Sequence, residues 1–144
     1  MILQVALWTL VAFVAGSIPF SLLIGRLALR TDIRDVGDGN PGATNVLRSG
    51  SPAWAIAAAF LDMLKAALPI SVAYIIWGWR GFEIVPIALA PLFGHIYSPF
   101  LKGQGGKGVA VTGGIWIGLT YGMGGAVGTG FLTLAYLIQS NAGW

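Results

Sequence analysis

Cysteine is absent from this sequence, and histidine occurs once. Without cysteine there are no disulfides, no thiolate metal sites and no cysteine nucleophile. A zinc site built on one histidine would have to borrow carboxylates, and the chain has only five. Charge of either sign is scarce. Charged residues make up 9% of the 144, against roughly 25% in an ordinary soluble domain. Met1 to Gly25 contains no Lys or Arg, so it lacks the basic start of a signal peptide, and its apolar run is too long for one. It reads as a retained membrane helix. The net charge of +3 is too small to argue for a nucleic-acid partner and is better read as a topology signal.

What the sequence does have is apolar length, glycine and tryptophan. Hydrophobic residues make up 56%, with 22 Gly and 6 Trp. Gly is tolerated in packed membrane helices and Trp favours the interfaces. A span needs about 20 apolar residues. Ile2 to Gly25 supplies the first, closed by Arg26 and Arg30. Residues 30–50 form a polar, turn-rich loop. Ser51 to Trp79 is the second stretch, interrupted by Asp62 and Lys65 and expected to kink at Pro69. Gly81 to Leu101 is the third, and residues 102–108 form a glycine-rich basic loop. Val109 to Ile138 carries no charge and reads as one long tilted helix or two short ones. The glycines at 122, 124 and 125 favour a turn within Tyr121–Gly125. The expectation is one all-α domain over residues 1–144, a polytopic membrane bundle of four to five helices. Arg26, Arg30, Arg34 and Arg48 on one loop, with Lys102 and Lys107 on the other, outnumber the lone Arg80 between spans two and three. The positive-inside rule therefore puts both polar loops in the cytoplasm.

The polar residues suggest anion binding. Gly39, Asn40, Gly42 and Thr44 lie in a turn-rich segment where positive φ lets successive N–H groups face one concavity. A helix starting near Thr44 would add a positive dipole end. Arg34 can offer a bidentate phosphate contact. In the second loop Gly105, Gly106 and Gly108 surround Lys107. This is not a Walker A loop, since neither the upstream glycine nor a following Ser or Thr is present. Asp62 and Lys65, at i and i+3, share one helix face. Each costs roughly 2.5–3.5 kcal/mol at a helix centre in a membrane. Two readings stand for them: a structural ion pair, or a lysine facing an anionic substrate with Asp62 orienting it. His95 can serve as a general base or as a donor to a phosphate oxygen. Ser17 and Ser21, flanking Pro19, read as helix-packing residues.

Four segments together carry a resemblance. GSIPFSLLIGRL, DIRDVGDGNPGATNVLR, FLDMLKAALP and PLFGHIYSPFLKGQGGKGVAV, in that order across residues 12–114, resemble the bacterial acyl-phosphate:glycerol-3-phosphate acyltransferases. The resemblance implies a seven-helix inner-membrane enzyme of phospholipid synthesis. It would transfer a fatty acyl group from acyl phosphate to the sn-1 hydroxyl of glycerol 3-phosphate, giving lysophosphatidic acid and phosphate, with no metal or other cofactor. It implies catalytic roles for Arg34, Asn45, His95 and Lys107. Phosphate contacts would fall to Lys65, to the glycines of GGKG (Gly105, Gly106, Gly108) and to the first-loop residues Gly39, Asn40, Gly42 and Thr44. Glycerol 3-phosphate, acyl phosphate and membrane lipids are the implied partners.

Three departures qualify the resemblance. Asp38 stands where the family has a serine, and a carboxylate repels phosphate unless Arg34 or Arg48 pairs with it. Gln104 stands where the family has a basic residue, with Lys102 two residues earlier as a substitute. The family's third motif, containing an asparagine and a glutamate, has no counterpart here. A fragment, a shortened paralogue and a partner chain that completes the site all fit this. A non-catalytic membrane protein that binds or transports a phosphorylated small molecule is the alternative function.

Overall fold

The computed structural model describes residues 1–125 together with 127 and 128. The rest of the last apolar stretch and the tail lie outside the described residues. The described residues form helices and turns with no strand. Three helical runs, Ile2–Ala28, Pro52–Ile76 and Ile84–Leu101, are long and apolar enough to cross a membrane, and Val109–Leu119 is a shorter apolar helix.

The first run is broken. Helix α1 covers Ile2–Ser17 and α2 covers Phe20–Ala28, with Ile18 extended between them (φ −64°, ψ 121°). Pro19 causes this: it has no N–H to continue the ladder and disfavours helical geometry at the residue before it. A short 3-10 turn, Ile33–Asp35, precedes α3, Ala43–Arg48. Helix α4, Pro52–Ser71, starts with Pro in its first turn and carries Pro69 near its end, where the chain loosens into a π turn, Val72–Ile76. Helix α5 is Ile84–Ile96, followed by the 3-10 turn Pro99–Leu101. Helix α6, Val109–Leu119, stops where Tyr121 and Gly122 both turn left-handed.

Small residues set the helix crossings. Lipid chains are as apolar as leucine, so helices in a bilayer gain by close van der Waals approach. A Cβ on Gly16 would strike the Pro91 backbone, and one on Gly94 would strike the Phe13 carbonyl, so α1 and α5 touch backbone to backbone. Gly114 meets the Met63 carbonyl in the same way, and Gly118 lies under Ile70 and Ala67, which joins α6 to α4. Ala12, Ala66, Ile70, Ile87 and Val111 fill the main core. Leu22, Ile33, Val46 and Ala58 fill a second one beneath the first loop. Large apolar side chains such as Leu3, Leu27, Ile56 and Phe82 point outward, as a lipid solvent allows. At the far end of α4 from the first loop, Trp77 packs on Trp8 and Trp79, with ring centroids 4.6 and 4.9 Å away.

Candidate functional site

The two polar loops meet. Lys107 Nζ lies 2.6 Å from Asp38 Oδ2, joining residues from opposite ends of the α4–α5 hairpin. Around this contact opens a cavity of about 890 Å³. One wall is polar: Asp38, Asn40, Gly42, Thr44, Arg48, Asp62, His95, Lys107 and Gly108. The other is apolar, built by Ala59 and Met63 of α4 and by Val109, Ala110, Trp116 and Ile117 of α6.

The first loop is wound about Asp38. Gly39 takes a positive φ of 72°, which returns the chain so that the Asn40 N–H donates to Asp38 Oδ1 at 3.3 Å. Asn45 Nδ2 donates to the same oxygen at 3.1 Å and to the Asn40 carbonyl at 2.9 Å. Asn45 Oδ1 accepts from Arg48 Nη1 at 3.1 Å. Arg48 Nη1 itself lies 3.7 Å from Asp38 Oδ1. The Lys107 ammonium holds the Asp38 carboxyl down to about 2, helped by the Asn40 N–H and the Asn45 amide. The expected repulsion at Asp38 is thus offset by Lys107 and Arg48.

Arg34 lies elsewhere. Its Nε and Nη2 donate to Asp32 at 2.9 and 2.7 Å, and Arg26 donates to Asp32 from the other side. Arg34 and Arg26 together pull the Asp32 carboxyl well below the usual range, and Asp32 in turn raises Arg34. A carboxylate two residues away captures the guanidinium locally, so Arg34 does not line the cavity. Arg48, considered from sequence only as a partner for Asp38, is the arginine that does. Asn45 is also set back. It is buried, and its amide is spent on holding Asp38, Asn40 and Arg48 in register.

The glycine loop is tied to α5. The Gly105 N–H donates to the Ile96 carbonyl at 2.9 Å and the Gly106 N–H to the His95 carbonyl at 3.2 Å. A helix end leaves its last carbonyls without intrahelical donors, and the glycines satisfy two of them. A Cβ on Gly105 would enter the His95 carbonyl, and one on Gly106 would enter the imidazole at Nε2. The expected cradle of free Gly105 and Gly106 amides is therefore a cap on α5. Gly108, at φ 79°, turns the chain into α6 and does line the cavity. The helix expected near Thr44 begins at Ala43 and is six residues long, which limits its dipole.

Behind the polar wall lies a buried charged group. Lys65 Nζ donates to Asp62 Oδ1 at 2.6 Å and to the Ile18 carbonyl at 2.7 Å, and sits 3.0 Å from His95 Nδ1. The Lys65 and Asp62 side chains are 2% and 4% exposed. Ser21 Oγ donates to Asp62 Oδ2 at 2.7 Å. Lys65, expected to meet a phosphate directly, does not line the cavity; its ammonium sits behind His95, which does. Ser21 is the residue that sequence reasoning missed: packing explains small residues beside Pro19, and nothing local points to a carboxylate on another helix. Among the described residues no group of three or more His, Asp or Glu is placed to hold a metal ion.

The similarities of this chain to known proteins agree with this architecture. A family model described as glycerol-3-phosphate acyltransferase matches residues 6–142. A glycerol-3-phosphate acyltransferase of Dechloromonas aromatica is 40% identical over 97% of this chain and 70% of its own length. One from an Anaeromyxobacter species is 46% identical over 75% of this chain and 55% of its own length. The crystal structure of PlsY (YgiH), an integral membrane glycerol 3-phosphate acyltransferase, in its glycerol 3-phosphate form, superposes with a TM-score of 0.83 at 31% identity. That superposition covers 93% of this chain and 66% of the solved one. With a match that runs through both polar loops and all the membrane helices described, this chain belongs to the glycerol-3-phosphate acyltransferase family.

Proposed function

We propose that this chain carries the site of an acyl-phosphate-dependent glycerol-3-phosphate 1-O-acyltransferase. The observation that carries the reading is the set of donors around Asp38. Lys107, Arg48, the Asn45 amide and the Asn40 N–H converge on one carboxylate at the polar wall of a cavity whose other wall is apolar. In this reading a substrate phosphate takes the place of that carboxylate, and the fatty chain lies along Met63, Trp116 and Ile117. The sn-1 hydroxyl oxygen bonds to the acyl carbon as the bond from that carbon to the phosphate oxygen breaks. The hydroxyl proton passes to an oxygen of the departing phosphate, so that hydrogen phosphate and lysophosphatidic acid are released. Positioned donors stabilise the charge on the departing phosphate, and held substrates react without an enzyme nucleophile. In this reading the site lies at the cytoplasmic face of a bacterial inner membrane, an orientation that the basic residues of the two loops support.

The test is transfer of labelled acyl group from acyl phosphate to glycerol 3-phosphate by the purified protein in lipid, with Lys107→Ala as control. Transfer that depends on Lys107 supports the reading, and no transfer at any protein concentration rejects it. Asp38, an anion among the anion ligands, favours a second reading: a non-catalytic binder or carrier of a phosphorylated molecule. Calorimetric binding of glycerol 3-phosphate without turnover would favour that one.

A further inference from the structure

Lys65 has three N–H bonds and three neighbours within hydrogen-bond reach: the Ile18 carbonyl, Asp62 Oδ1 and His95 Nδ1. The first two are oxygens that only accept. The third contact joins two nitrogens, so one of them must donate. An alkyl amine is more basic than imidazole by about 4 pKa units in water, and the Asp62 carboxylate at 2.6 Å compensates an ammonium here. The proton therefore stays on Lys65, and His95 Nδ1 accepts. A neutral imidazole with an accepting Nδ1 carries its own proton on Nε2. Nε2 faces Gly106, has no hydrogen-bond partner among the described residues, and belongs to a side chain that lines the cavity beside Lys107.

We infer that Lys65 and Asp62 are positioning residues that lock His95 as the Nε2–H tautomer, so that His95 enters the cavity as a hydrogen-bond donor to a ligand oxygen and not as a proton acceptor. The arrangement draws on three elements. Pro19 interrupts α1–α2 and leaves the Ile18 carbonyl available to Lys65. Ser21 fixes the far oxygen of Asp62, so its near oxygen faces the ammonium. Helix α5 sets Nδ1 against Lys65 of α4 and Nε2 on the side of Gly106, in a ring that lines the cavity. The identity of the ligand oxygen, on a phosphate or an acyl carbonyl, rests on the acyl-transfer reading. The tautomer does not.

The chain has one histidine, so ring nitrogen signals in nitrogen-15 NMR belong to His95, and their couplings to the two carbon-bound ring protons tell Nδ1 from Nε2. The experiment uses the labelled protein in micelles at pH 7 without substrate. One protonated and one bare nitrogen, with the proton on Nε2, is the expected result. A proton on Nδ1, or on both nitrogens, overturns the inference. Lys65→Met is expected to release the ring into a mixture of tautomers, and an unchanged ring would remove Lys65 from its role. If that variant does not fold, Asp62→Asn with Lys65→Met removes both charges together and is read the same way. In the transfer assay His95→Gln, whose amide N–H can stand near Nε2–H, should keep activity within about tenfold, while His95→Ala loses about a hundredfold. Equal losses in the two variants would sink the donor role. A protein with the Nε2–H signature but no transfer would reject the acyltransferase reading alone.

Discussion

Asp38 brings a negative charge into a ring of donors that a phosphate would otherwise occupy. Asp38→Ser is therefore expected to tighten glycerol 3-phosphate binding about tenfold, read as Kd by calorimetry, because Lys107 loses a competing anion. The pH dependence follows from the sign of the shift. The Asp38 carboxyl is held at about 2, below its ordinary 3.8, so the contact to Lys107 is fully present above about pH 4 and is lost only as pH falls through about 2. The ratio of wild-type to Asp38→Ser affinity should then be flat from pH 5 to 8; a slope in that window would mean that Asp38 is not held as described. The arginines give a second residue-scale test. Arg48→Ala should lower transfer about a hundredfold, and Arg34→Ala less than about threefold. The sequence points to Arg34 for the phosphate and to Arg48 only as a partner for Asp38. Only the fold reveals that Asp32 captures Arg34 while the turn at Gly39 carries Asp38 to Arg48. The bond from Ser21 to Asp62 was equally illegible, since a hydrogen bond between separate helices leaves no spacing to read.

At the scale of elements, the glycine crossings hold the bundle. Gly114→Leu would drive a side chain into the Met63 carbonyl. Overpacking of this kind typically costs about 1–3 kcal/mol, and the expected result is a lower unfolding temperature in detergent. Val127, exposed near the end of the described residues, should accept Leu without such a shift. That glycines would pack helices was legible from composition. Which glycines face a neighbouring backbone depends on the rotation of each helix, and α1, α5 and α6 are too evenly apolar for a sequence stripe to report it. The glycine loop shows the same limit. GGKG reads as open backbone donors, but α5 ends beside it with carbonyls to satisfy, and those carbonyls take the amides of Gly105 and Gly106.

For the whole molecule, scarcity of charge was enough to indicate a membrane bundle, and the outward Leu3, Leu27, Ile56 and Phe82 fit a lipid solvent. The orientation can be measured with the help of what the chain lacks. No cysteine is present, so a single introduced one reports alone. Gln104→Cys should react with an impermeant maleimide only from the cytoplasmic side of the membrane, and Phe82→Cys only from the opposite side. Exchanged sides would reverse the topology, and labelling of both from one side would mean that the segment between them does not cross.

The two ion pairs that organise the cavity differ in their access to water. Lys107 and Asp38 are 68% and 43% exposed, whereas Lys65 and Asp62 are almost wholly enclosed. Dissolved ions screen an exposed pair over about 10 Å at 0.1 M and about 3 Å at 1 M, and reach a buried pair far less. Ionic strength therefore acts on the two contacts selectively. Concentrated salt unfastens the clasp between the loops at the cavity mouth and leaves the charged floor beneath His95 intact.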